Sequence, residues 1–174
     1  VDLATANTYS DDVTILLNRA DGTFQPGPAL PAGDNPTSVT AADLDKDGKQ
    51  DLMVANISYL TNTCLTHPEC EPNAAKRVRV YYGQGGGIFE APVFLTLPGG
   101  ASPFAVAHGD VNDDGLTDLA VAINSTTKAT VHLGTSVRSF GPPTEITIGR
   151  GPEFVALVDM NRDDRLDLVS SNSV

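Results

Sequence analysis

Three nine-residue windows rich in aspartate recur along this chain, and no other feature constrains its fold as strongly. Each window carries a carboxylate or amide side chain at its first, third, fifth and ninth places. A short apolar run follows each window directly. The first seven residues match the end of a window and its apolar run, with Asp2 at the ninth place. The complete windows are residues 43–51, 110–118 and 159–167.

Two further landmarks keep a constant distance from the windows, so the period is an internal repeat. A glycine lies ten residues, and a proline seven residues, before the first Asp of each window. Successive ninth-place Asp residues are 49, 67 and 49 residues apart, and the longer middle interval indicates an insertion at about residues 58–75. We expect one segment with repeats at about residues 1–33, 34–100 and 101–150, and a partial repeat at 151–174.

The apolar runs within each period have the pattern of β-strands. They are short, rich in β-branched residues and bounded by turn residues, as residues 13–18 and 77–82 illustrate. No segment sustains the i, i+3, i+4, i+7 spacing of an amphipathic helix. About four strands fall in each period, and four-stranded units repeating every roughly 40–50 residues are typical of β-propeller blades. The sequence therefore predicts an all-β chain of four-stranded antiparallel blades.

The complete pattern resembles that of a known family. The order of landmarks that carries the similarity is Phe, then Gly-x-x-Pro, then Asp-x-[Asp/Asn]-x-Asp-Gly-x-x-Asp-Leu. This pattern is similar to the FG-GAP (VCBS-type) repeat of integrin-α-like β-propellers. The resemblance covers the chain apart from the insertion, and it implies a seven-bladed, calcium-bearing ring. Because three repeats are too few for such a ring, and Val1 falls inside a window, we expect a segment of a longer propeller. Completion of blades between copies of the chain is the alternative.

The acidic residues point to calcium. The chain has 17 Asp and five Glu, and twelve of the Asp lie in the three windows, so the negative charge is local. Calcium takes six to eight oxygen ligands, and a tight loop with oxygens at alternate places can surround it. We predict about three Ca²⁺ sites, with a backbone carbonyl at each seventh place. The predicted ligands are Asp43, Asp45, Asp47, Lys49 and Asp51; Asp110, Asn112, Asp114, Leu116 and Asp118; and Asp159, Asn161, Asp163, Arg165 and Asp167.

Other interpretations of the windows fit less well. An EF-hand closes with Glu at the twelfth place between helices, but here that place holds Val54, Val121 or Ser170. A dockerin-type loop is also followed by a helix. Plain surface turns would leave several carboxylates crowded without a cation, and Mg²⁺ prefers octahedral sites with several waters. The sixth place is Gly48, Gly115 or Asp164, and the strained Asp164 predicts that the third site is the weakest.

Charge and motifs argue against several function classes. The net charge is −11, without a large basic cluster, which disfavours nucleic acid and anionic membrane surfaces as partners. No apolar run is long enough to insert in a membrane. The sequence has no nucleophile elbow, phosphate-binding loop or zinc-protease motif, and its three histidines lack metal-ligand spacing. We expect no catalytic activity.

The insertion contains the only two cysteines, Cys64 and Cys70. They are predicted to form a disulfide; a metal site that includes His67 is the alternative, although it would be short of ligands. A disulfide and loops suited to millimolar calcium both indicate a secreted or cell-surface protein. Asn56 and Asn124 begin N-glycosylation sequons if the source is a eukaryote.

These features favour a calcium-stabilised extracellular module for binding or adhesion. A carbohydrate-binding lectin of similar architecture and a structural subunit of an extracellular assembly are the alternatives. The expected partner is an extracellular protein or a glycan, or else further copies of the chain or the rest of the propeller. The insertion is a candidate recognition element, because loops on a rigid scaffold often carry function.

Overall fold

The computed structural model describes residues 1–57, 77–99 and 101–173, and these residues confirm the predicted all-β fold. Every strand pairing in this part of the chain is antiparallel, and it contains no helix. It therefore has no helix that could cross a membrane. The strands are β1 (Leu3–Asn7), β2 (Asp12–Asn18), β3 (Phe24–Pro26), β4 (Leu30–Pro31), β5 (Pro36–Ala42), β6 (Asp51–Asn56), β7 (Arg77–Tyr81), β8 (Gly83–Gly85), β9 (Ile88–Phe89), β10 (Val93–Leu95), β11 (Pro103–Gly109), β12 (Asp118–Ile123), β13 (Lys128–His132), β14 (Gly134–Ser136), β15 (Ser139–Phe140), β16 (Thr144–Thr147), β17 (Pro152–Val158) and β18 (Asp167–Asn172).

Apart from the two small hairpins β8-β9 and β14-β15, the strands form four successive sheets, which we number in chain order. The second and third sheets each have four strands, in the orders β5-β6-β7-β10 and β11-β12-β13-β16. The first sheet joins β1 to β2, which also pairs with β3 and β4, and the fourth sheet joins β17 to β18. Because strand order in space follows chain order, each complete sheet has the meander form of a propeller blade. The described strands do not close into a ring.

Two small hairpins were not expected from the sequence. The strands β8 and β9 pair with each other, as do β14 and β15, between the third and fourth strands of the two complete sheets. The glycine-rich stretch at residues 83–87 reads as a turn in sequence, yet its first three residues form β8. Glycine is a poor strand former, so propensity alone could not identify this strand.

The core lies between the sheets and is built by alternation along the second strand of the second and third sheets. Every residue of β6 and β12 is buried, so neighbouring sheets cover both of their faces. Along β6, Leu52 and Val54 pack toward the first sheet, whereas Met53 and Ala55 pack toward the third. Side chains alternate across a strand with period two, and a strand buried on both faces reads as a continuous apolar run. The partner residues are Val13 and Ile15 in the first sheet and Leu119, Val121 and Ile123 in the third.

A histidine is also buried in this core. The ring of His132 on β13 is fully buried, with Nε2 3.1 Å from the Thr130 hydroxyl. Burial lowers the pKa of His132 below its ordinary value, although a backbone hydrogen bond with Gly141 opposes the shift. The imidazole of His132 therefore binds a proton more readily in the unfolded chain than in the folded chain.

This pKa shift predicts the direction of a pH effect. The free energy of unfolding is expected to be highest above about pH 6.5, the ordinary histidine pKa, and to fall as the pH drops toward the lower folded pKa. His132→Leu is expected to reduce this slope between pH 8 and pH 5.5, although His108, whose pKa burial also lowers, keeps part of it. Urea unfolding at several pH values measures the slope. An identical slope in the variant would show that His132 does not contribute.

Candidate metal centre

The three Asp-rich windows lie at equivalent places in the fold. Each joins the first strand of a sheet to the second: β5 to β6, β11 to β12, and β17 to β18. The first strands of neighbouring sheets also contact each other, because β11 lies against both β5 and β17. The repeat therefore places all three windows on the same rim of the stack.

Hydrogen bonds from the backbone give the first window a defined shape. The Asp43 carboxylate accepts from the N–H groups of Asp47 at 3.1 Å and Gly48 at 2.9 Å. Asp45 Oδ1 accepts from the Asp47 N–H at 3.3 Å. Asp47 Oδ1 in turn accepts from the Lys49 N–H at 2.9 Å. The side chains at places one, three and five are thus turned inward over the loop.

The same network recurs in the other two windows, including those positions where Asn stands at the third place. Asn112 and Asn161 accept through Oδ1 from the fifth-place N–H at 3.2 Å and 2.9 Å. The fifth-place carboxylates accept from the seventh-place N–H groups at 2.7 Å and 3.0 Å. The first-place bonds are Asp114 and Gly115 to Asp110 at 3.2 Å and 2.7 Å, and Asp163 and Asp164 to Asp159 at 3.2 Å and 3.0 Å.

The ninth-place Asp accepts backbone hydrogen bonds that the sequence did not reveal. Asp51 is fully buried, and its two oxygens accept from the N–H groups of Leu44 and Gly83, both at 2.8 Å. These bonds connect the start of the window to the segment after the third strand. A carboxylate oxygen has two lone pairs, so each oxygen can still bind a cation. The equivalent bonds are Val111 and Gly134 to Asp118 at 2.8 Å and 2.7 Å, Met160 to Asp167 at 3.0 Å, and Asn18 to Asp2 at 2.8 Å.

The first window brings three carboxylates close enough to share one cation. Oxygens of Asp43, Asp45 and Asp51 all lie within 4.8 Å of one another. Two oxygens bound to the same Ca²⁺ at about 2.3–2.6 Å are at most about 5 Å apart, so this group fits the ion. Asp47 is instead directed to the Lys49 ammonium, 2.7 Å away. The other windows, within the described residues, bring no three carboxylates this close.

Electrostatics in the first window also favour a cation. Burial raises the pKa of Asp51 above its ordinary value, and the nearby Asp45 and Asp43 carboxylates raise it further. The hydrogen bonds from Gly83 and Leu44 act in the opposite direction. A buried carboxylate beside two others carries a cost in its charged form, and a divalent cation would remove that cost.

Each window needs two left-handed residues, of which the sequence indicated one. At the sixth place φ is +84° for Gly48, +82° for Gly115 and +65° for Asp164. The strained position of Asp164 is therefore present, while the weakness of the third site stays a prediction. The fourth place is also left-handed, with φ between +59° and +65° in all three windows. It holds Lys46, Asp113 or Arg162, so residue type gave no signal.

A cation from the third sheet contacts the first window. Arg138, in the turn between β14 and β15, donates from Nε to Asp45 Oδ2 at 2.7 Å and also pairs with Glu90 at 3.1 Å. Its guanidinium lies 4.2 Å from the ring centre of Tyr82. Lys46 spans the same boundary, because its ammonium donates to the Gly115 carbonyl in the second window. Contacts between residues so distant in sequence could not be predicted from the repeat.

Two other sequence-based predictions have different outcomes. The insertion, with the predicted Cys64–Cys70 disulfide, lies outside the described residues. Asn56 is fully buried, and its side-chain amide donates to the carbonyls of Ala32, Gly33 and Asp34. In the folded chain the Asn56 side-chain amide is therefore not accessible for glycosylation.

Stacked four-stranded sheets with Asp-rich loops on one rim define a repeat protein built from propeller-type blades. The FG-GAP-like repeat family matches residues 1–54 and 110–170, more than half of the chain. The chain belongs to this family, which confirms the predicted FG-GAP identity. No curated protein matches the chain.

Proposed function

We propose that this chain is a calcium-stabilised, non-catalytic propeller segment that serves as an extracellular binding or adhesion module. The observation that carries the proposal is the meeting of Asp43, Asp45 and Asp51 in a loop whose hydrogen-bond network recurs in all three windows. In the first window these three carboxylates, with Asp47 and the Lys49 carbonyl, would hold the ion. The equivalent places would hold it in the other windows.

The role proposed for calcium is to favour folding. The ion would neutralise carboxylates that the fold forces together, and it would bind the folded loop much better than the unfolded one. A ligand present at 100 times its dissociation constant adds about 2.7 kcal/mol to the free energy of unfolding. Extracellular calcium is suited to weak sites of this kind, which supports a location outside the cell or on its surface.

A double substitution tests the calcium proposal. Asp43→Asn with Asp110→Asn keeps the size of both first-place side chains but removes two charged ligands. The melting temperature is expected to fall clearly more in millimolar calcium than in EDTA, where only the backbone hydrogen bonds of the replaced carboxylate oxygens are lost. Differential scanning calorimetry in both buffers measures the effect.

The matched control is Asp113→Asn with Asp164→Asn. It removes the same charge from the windows at places not predicted to bind the ion, and Asn tolerates the left-handed backbone found there. The control is expected to keep the full stabilisation by calcium. Equal melting temperatures for the ligand variant and the wild-type chain in calcium would show that the windows are not calcium sites.

One observation favours glycan binding as the second candidate function. A groove of about 420 Å³ lies between the second and third sheets, lined in part by Phe94, Phe140, Thr96 and Ser139. The ring of Phe94 is partly exposed, and aromatic rings beside polar groups are suited to sugars. A glycan array in calcium and in EDTA tests this candidate. Binding to a defined sugar that Phe94→Ala abolishes would favour the lectin, whereas a blank array with folded protein would favour a polypeptide partner.

A further inference from the structure

The first window differs from the other two at its third place, where a carboxylate pairs with an arginine from the neighbouring sheet. Its third place holds Asp45, where the others hold Asn112 and Asn161. Asp45 Oδ2 pairs with Arg138 at 2.6 Å, and the Asp45 side chain is only 6% exposed. Within the described residues, the third-place amides contact no cation: Asn112 and Asn161 instead donate to the fifth-place carboxylates of their own windows, at 2.9 Å and 3.2 Å.

We propose that Arg138 is a built-in counter-ion that regulates the first window. Without calcium, its guanidinium would neutralise Asp45 and hold the third sheet against the second. With calcium present, it would oppose the ion and lower the affinity of this window. The inference rests on the proposed function, because it concerns the same calcium site.

The opposition follows from the shared carboxylate. A calcium ion bound to Asp45 Oδ1 and a guanidinium bound to Oδ2 would lie on either side of one carboxyl group. Two positive charges at this separation repel, and the Asp45 carboxylate between them is nearly buried, although the Arg138 side chain is 43% exposed and water screens part of the repulsion. Glu90 also pairs with Arg138, so the guanidinium stays anchored beside the window.

Linkage makes the effect reciprocal. If Arg138 weakens calcium binding by some factor, calcium weakens the Arg138–Asp45 pair by the same factor. Typical couplings between sites change affinity roughly 5- to 150-fold. The first window would then fill at a higher calcium concentration than it would without the arginine, and filling would loosen one contact between the second and third sheets.

Tyr82 offers a local spectroscopic probe for this window. Its side chain is buried beneath Arg138, and the charges of Asp51, Asp45 and Glu90 act on its hydroxyl, so it lies close to the window. The chain has no Trp, which leaves tyrosine as the sensitiser of terbium bound in a calcium site. Tyr82→Phe is expected to remove most of the sensitised signal from the first window.

The test compares Arg138→Gln with Lys128→Gln. Lys128 pairs with Glu145 within the third sheet, so its loss changes the net charge equally without touching the window. Calcium calorimetry and terbium luminescence are expected to show at least about fivefold tighter binding at one site in Arg138→Gln and no such change in the control. An unchanged or weaker calcium affinity in Arg138→Gln would overturn the proposal, because that is the result expected if the salt bridge has only a structural role.

Melting in EDTA tests whether, without calcium, Arg138 holds the third sheet against the second. Arg138→Gln is expected to melt at a lower temperature than the control, and the loss should be smaller when Asp45 is already Asn. Additive effects of the two substitutions would show that the pair does not hold the sheets together. If the wild-type chain binds no calcium at all, the proposed function itself has failed; if it binds calcium with the same affinity as Arg138→Gln, only this inference has failed.

Discussion

Asp118→Ala is expected to lower the free energy of unfolding by about 2–5 kcal/mol, in EDTA as well as in calcium. The reason is that the variant leaves two backbone donors without their acceptor: the N–H of Gly134 in a buried place and the N–H of Val111 in a partly buried one. Each unsatisfied buried donor costs about 1–3 kcal/mol. For a chain of this size the melting temperature should fall by roughly 5–15 °C. Calorimetry with EDTA in the buffer measures this effect without any contribution from an ion.

Asp114→Ala is the control for this substitution. Asp114 belongs to the same window and is a predicted calcium ligand, but it lies at the surface and accepts one backbone hydrogen bond, from Leu116. It is expected to cost little in EDTA and considerably more in calcium. A small effect of Asp118→Ala in EDTA would mean that the ninth-place residue serves the ion alone and does not connect the strands.

Gly83→Ala is expected to lower the free energy of unfolding by a similar amount, through a steric clash rather than through the loss of hydrogen bonds. A Cβ atom added at Gly83 would lie 2.2 Å from the carbonyl oxygen of Gln50, at the entry to β6. That oxygen belongs to the backbone, so the strands themselves would have to separate. We expect a loss of about 3 kcal/mol, near the upper part of the range for overpacked positions.

Gly99→Ala is the matched control, because no atom of the residues that the structure describes lies within 4 Å of a Cβ atom added there. It is expected to leave the melting temperature nearly unchanged. A circular dichroism melt of both variants is sufficient for the comparison. If the two variants melted together, the close approach between Gly83 and Gln50 would not be required for folding.

The features that the sequence predicted are those that depend on local pattern. Alternating β-branched runs and turn residues identified the principal strands, and the fixed spacing of Pro and Gly identified the repeat. The hairpin of β8 and β9 was missed because Gly83–Gly85 carries no strand preference of its own. Its pairing with β9 is set by the surrounding sheet rather than by residue type.

The candidate site was predictable in its residues but not in its connections. Spacing alone identified Asp43, Asp45 and Asp51, because the ligands of a loop lie within one short stretch of chain. The bond from Gly83 to Asp51 joins residues that are 32 positions apart, and the bond from Arg138 to Asp45 spans 93. Such contacts depend on how sheets stack, and stacking follows from the burial of whole strands rather than from any motif.

The burial of β6 on both faces makes each position on that strand specific to one neighbour. Leu52 and Val54 support the boundary with the first sheet, while Met53 and Ala55 support the boundary with the third. A substitution at an even-numbered position therefore weakens the packing against the first sheet, and a substitution at the next position weakens the packing against the third sheet. Since each sheet relies on its neighbours for half of its core, the stack behaves as a linear chain of coupled units, and the parity of a residue number on β6 determines which coupling it controls.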